Sequence, residues 1–173
     1  MSVGKMTIAL AGSLLLAATA EAQLAPPYVE YAAKFTCGVE SAKETDDVVS
    51  GVYASSINIH NPQSRIAVPF VKKIVVANRE DAPIGRIVVL RDVLKPDQAD
   101  RVDCIFISKA LDRATTAYVE GFVVFEVPRV PVTGTAPTVQ PVLDVVGKYT
   151  ARPLAGNVAT ETVVQIDGKP IAQ

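Results

Sequence analysis

The sequence has no Trp, a single His and two Cys, and 17 Lys+Arg stand against 18 Asp+Glu. Each shortage excludes a class of function. A net charge of −1 lacks the basic excess that binds nucleic acid and gives no long-range steering toward polyions. Two Cys and one His cannot complete a Cys/His zinc site without carboxylates. Aromatics at 6% leave poor stacking surfaces for sugars or single strands. Gly-rich phosphate loops, Gly-x-Ser-x-Gly elbows and Cys-x-x-Cys pairs are missing. Asp97, Asp100 and Asp103 recur every third residue, but they cross from a turn into a strand and point in different directions. Asp46-Asp47 reads as a solvated turn, because calcium needs six to eight oxygens. No cofactor, metal or nucleic acid is expected.

Hydrophobic residues make up 49% of the chain, so it is globular and not disordered. The first 22 residues read as a secretory signal peptide. Lys5 supplies the positive start, Thr7 to Ala18 the apolar run, and Ala20-Glu21-Ala22 a small-x-small cleavage site. The run is shorter than the roughly 20 apolar residues of a spanning helix. No later segment is long and apolar enough to span a membrane, so a periplasmic or extracellular protein is expected. Residues 23–173 form one domain of about 150 residues. An exported chain with two Cys points to a Cys37–Cys104 disulfide. Closing a loop of about 68 residues removes roughly 4 kcal/mol of unfolded-state entropy on the chain-entropy model.

Beyond the leader the apolar period is two, not 3.6. In Gly51 to Asn61, Tyr53, Ile57 and Ile59 share one parity, and Ala54, Ser56, Asn58 and His60 the other. This predicts a half-buried strand with a polar outer row, stopped by Asn61-Pro62. Ile66, Val68, Phe70, Ile74 and Val76 share a face of the next strand, where Pro69 calls for an edge or a bulge. Ile84 to Leu94 reads as a strand, followed by a turn at Pro96-Asp97. Arg101 to Ile107 reads as a strand with Val102, Cys104 and Phe106 inward. Phe35, Cys37 and Val39 likewise face inward in the opening strand. Lys109 to Ala114 is the one mildly helical stretch. Ala117 to Val127 is apolar on both parities, which predicts a central strand covered on both faces. Pro128 to Pro141 reads as an extended loop. Val142 to Thr150 and Val158 to Ile166 complete the sheet, and Asp167-Gly168 marks a last turn. About eight strands at this spacing, without long helices, predict a single antiparallel β-sandwich of immunoglobulin-like general build.

Ser56 to Pro62 (SINIHNP), Ala99 to Cys104 (ADRVDC), Leu143 to Ala151 (LDVVGKYTA) and Lys34 to Gly38 (KFTCG) together resemble a set of exported bacterial β-sandwich proteins of uncharacterised function. The resemblance spans most of residues 23–173. It implies an exported bacterial protein and carries no catalytic residue.

No catalytic constellation emerges. His60 shares a face with Ser56, but too far along a strand for a direct hydrogen bond. Asp144 lies in an otherwise apolar strand and needs solvent or a cation such as Lys148 or Arg152. The expected function is therefore non-enzymatic: a binding or structural module of the cell envelope, with another protein or an envelope component as partner. The candidate binding surfaces are the row Ser56, Asn58 and His60 and the Pro-rich loop with Arg129, Val130, Val132 and Thr133. Val130 and Val132 alternatively cover a sheet edge. Open edges offer self-association. The alternatives are a small-ligand carrier or hydrolase with a pocket near Asp144, and a subunit of a surface assembly.

Overall fold

The computed structural model describes residues 28–41, 48–77, 85–129, 142–156 and 158–171. They contain nine strands and one short helix. These are β1 (Tyr28–Glu40), β2 (Gly51–His60), β3 (Val68–Val76), β4 (Ile87–Leu94), β5 (Ala99–Asp103), α1 (Cys104–Ala110), β6 (Val119–Pro128), β7 (Asp144–Pro153), β8 (Thr160–Ile166) and β9 (Lys169–Ile171). The chain is all-β, as the period-two pattern predicts. The strands form one continuous sheet, ordered β4-β3-β6-β1-β2-β7-β8, with β5 also paired to β2 and β9 to β1. All these strand pairings are antiparallel. The signal-peptide segment and residues 130–141 lie outside the described residues.

β1 changes partner along its length. Tyr28 to Cys37 pair with β6, and Gly38 to Glu40 pair with β2. Gly38 sits at the change with φ +96°, and a Cβ there would lie 2.3 Å from the Ala117 carbonyl oxygen. Backbone conformation and space both require glycine. Beside it, Ser55 stands in for a neighbouring strand. Its hydroxyl accepts from the Thr36 N–H at 2.9 Å and donates to the Thr36 carbonyl at 3.0 Å. Cys37 and Cys104 are disulfide-bonded, with Cα atoms 5.5 Å apart and a sequence separation of 67. The bond clamps the place where β1 changes partner.

The core is one cluster drawn from both halves of the sheet. Phe35, Ile74, Val123 and Phe125 come from one side of the exchange, and Ile57, Ile59, Val102 and Val145 from the other. Parity explains most of it. Val39 departs from the expected inward row, because the exchange at Gly38 turns it out to solvent. β3 is an interior strand, so the edge expected for Pro69 is only local. Pairing with β6 starts at Val71, which leaves Pro69 a neighbour on the β4 side alone.

Three further expectations need correction. Cys104 does not continue a strand; it opens α1. Asp103 caps that helix by accepting from the Phe106 N–H at 2.9 Å, which satisfies one of the free donors of a first turn. β6 is central but covered on one face only. Its burial alternates, and Phe122 is 44% exposed. On its outer face Glu120 meets Lys34 and Glu126 meets Lys73. The turn at Asp167-Gly168 leads into β9, which returns to pair with the start of β1.

Lys72 occupies the core face of β3 between Phe70 and Ile74 and is only 3% exposed. Its ammonium lies 2.9 Å from an Asp100 carboxylate oxygen and 4.8 Å from the Phe106 ring centre. A buried charge is tolerated only with such partners.

Candidate functional site

The outer face of β2 is set by its neighbours. β5 flanks one side and β7 the other, and directly opposed residues share a face. Ser56 lies between Asp103 and Lys148, Asn58 between Arg101 and Val146, and His60 between Ala99 and Asp144. The polar row Ser56, Asn58 and His60 thus becomes the centre of a wider strip carrying both signs of charge. Asn58 is exposed, and Ser56 and His60 are partly so. Polar contacts run along and across the strip. His60 Nδ1 and an Asp144 oxygen are 3.3 Å apart, Arg101 and Asp103 3.4 Å, and Lys148 and Glu161 2.8 Å. Pairs this exposed orient side chains and add little stability.

Asp144 is therefore an exposed carboxylate whose partner is His60. Of the expected cations, Lys148 is paired with Glu161 instead. Ser56 and His60 are four residues apart on one strand, about 13 Å, and form no dyad.

A shallow hollow opens at each end of the strip. One, of about 310 Å³, is lined by Ser56, Arg101, Asp103, Ile105 and Lys148 among others. Ile105, in the first turn of α1, is 69% exposed beside it. The other, of about 360 Å³, is lined by Tyr31, Arg129, Asp144, Gln165 and Asp167 among others. Tyr31 is almost fully buried there, and its hydroxyl accepts from the Leu143 N–H at 3.0 Å. Burial raises the Tyr31 pKa, the Leu143 bond opposes this, and the Asp144 charge adds to it.

The structure brings together Ser56, Asn58, His60, Asp144 and, across the second hollow, Arg129. Val130, Val132 and Thr133 lie outside the described residues. Sequence reasoning missed Arg101, Asp103 and Lys148 as members of the site, because only strand register makes them neighbours, and Ile105, because its segment reads as a strand where α1 forms. Among the described residues, no three His, Cys, Asp or Glu side chains gather closely enough to hold a metal ion, and no helix is long and apolar enough to cross a membrane. Comparison with family models, with curated proteins and with solved structures finds no match to this chain.

Proposed function

We propose that this chain is an exported, non-enzymatic binding module of the cell envelope. Its partner is another protein or an envelope component, held along the strip Ser56, Asn58 and His60. One observation carries the reading. An exposed strand row is flanked by both charge signs, with a solvent-facing Ile105 at one end. That mixture of apolar anchor and polar rim suits a protein partner. The Cys37–Cys104 bond supports an oxidising compartment. The resemblance carried by the SINIHNP and ADRVDC stretches points the same way.

The test is affinity capture from the native envelope with the wild type and a double variant, Asn58→Arg with Ile105→Asp. Retention of the disulfide serves as the folding control. The partner recovered by the wild type is lost by the variant. Equal recovery by both refutes the strip.

A second reading is a small-ligand carrier at the other hollow, favoured by Arg129, Asp144 and Asp167 lining one space. In that case Asp144→Asn abolishes ligand retention, and the double variant leaves it intact.

A further inference from the structure

β8 ends the sheet. Its inner side pairs with β7 from Thr160 to Ala151 through Ile166 to Val145, and no described strand pairs with its other side. Thr160 to Gln165 are all exposed, with Val163 at 62% and Val164 at 40%. Edge strands are usually blocked by Lys, Pro, a bulge or an inward charge. The β8 sequence TETVVQI contains no Lys or Pro, and its one charge, Glu161, is paired with Lys148. The opposite edge, β4, carries Arg91 and Asp92 in its span.

We propose that β8 docks a second copy of this chain, β8 against β8, antiparallel about a two-fold axis at Val163. The register follows from charge. An axis normal to the sheet keeps the two outer faces aligned, so only residues of equal parity oppose each other. An axis at Glu161 sets two carboxylates against each other. An axis at Val164 sets Glu161 against Asp167. An axis at Thr162 pairs only the first five residues of β8. The axis at Val163 pairs the whole strand from Thr160 to Ile166. Val163 then meets Val163, Thr162 meets Val164, and Glu161 meets the neutral Gln165, whose amide can donate to the carboxylate. Like charges never face each other, and β-branched residues fill the centre. The contact is isologous, so it closes at two copies, whereas β8 on β4 would propagate. The strip on β2 remains open in this dimer, so the inference does not depend on the proposed partner.

The test is light scattering coupled to size-exclusion chromatography, together with a cysteine scan of β8. The wild type runs at twice the chain mass, and Val163→Lys, which opposes two ammonium groups, halves it. Residues opposed on the axis have Cα atoms about 4.5–5.5 Å apart, within disulfide range. Val163→Cys therefore gives a reducible covalent dimer. Thr162→Cys and Val164→Cys do not, because each is offset from its own copy by about 8 Å. The cysteine variants keep the proposal testable should Val163→Lys fail to fold. A monomeric wild type, an open-ended polymer, a dimer indifferent to Val163→Lys, or crosslinking at 162 or 164 in place of 163 overturns the proposal.

Discussion

Asn61 offers the sharpest test of how the strip is held. It follows His60 directly and is fully buried. Its side-chain amide donates to the carbonyls of Ile66 at 2.8 Å and of Leu94 and Lys95 at 3.1 Å. Its side-chain oxygen accepts from the Gln63 N–H at 3.1 Å. One side chain therefore ties the end of β2 to the turn between β4 and β5. Two amide hydrogens and one acceptor make about three effective bonds, each contributing roughly 0.5–1.5 kcal/mol net. Asn61→Ala should cost about 3 kcal/mol, a large share of a typical total of about 5–15 kcal/mol. For a chain of this size that lowers the melting temperature by roughly 6–12 °C. Asn61→Asp should be worse than alanine, because it aims a carboxylate at three carbonyl oxygens. Urea unfolding checks both: the midpoint falls and the slope stays constant if only the native state is affected. A loss below about 1 kcal/mol for Asn61→Ala, or an Asn61→Asp variant as stable as the wild type, refutes the reasoning.

Other outcomes follow from the same physics. Asp100→Asn leaves the Lys72 ammonium buried without its carboxylate and should cost about 2 kcal/mol, whereas Lys72→Met should be neutral or stabilising; the reverse order in urea melts contradicts the packing described. Gly38→Ala meets both a positive φ and the Ala117 carbonyl and should cost at least about 2 kcal/mol; a neutral result disproves the strand exchange at that point. Burial, then the Glu120 and Glu40 charges, push the Tyr118 pKa from 10.0 up to about 12. The fold thus favours the neutral phenol, so this contribution is complete below pH 10 and is lost as pH rises through about 12. Tyr31 and Tyr149, both raised chiefly by burial, act in the same direction. Tyr118→Phe should flatten the alkaline fall in the unfolding midpoint, and an unchanged slope counts against the shift.

The strands were legible because one-sided burial writes itself as alternation. Ile57 and Ile59 against Ser56, Asn58 and His60 already name the inner and outer faces of β2, while Tyr53, expected on the inner face, is only partly buried. Partnership was not legible, since it depends on register between segments distant in sequence. His60 and Asp144 are 84 positions apart, and nothing local selects Asp144 over Val146. The segment Cys104 to Ile107 misled for a different reason. A short apolar run fits a strand and a helix equally well, and the decision rests with the Asp103 side chain as a cap. That cap was the available signal, as Asp is a preferred residue just before a first turn. Lys72 escaped because a charge on a core parity looks like an interruption of the pattern. Two phenyl rings and Asp100 make it a member of the core. β9 is three residues long, too short to show any period.

The clamp on the strand exchange is tested by a thiol count on protein isolated from its native compartment, alkylated without reduction and digested. A clamped strand exchange gives no alkylated cysteine and one peptide pair joined through Cys37 and Cys104. Two alkylated cysteines would show that the strand exchange at Gly38 is not clamped, and would remove the support for export with it.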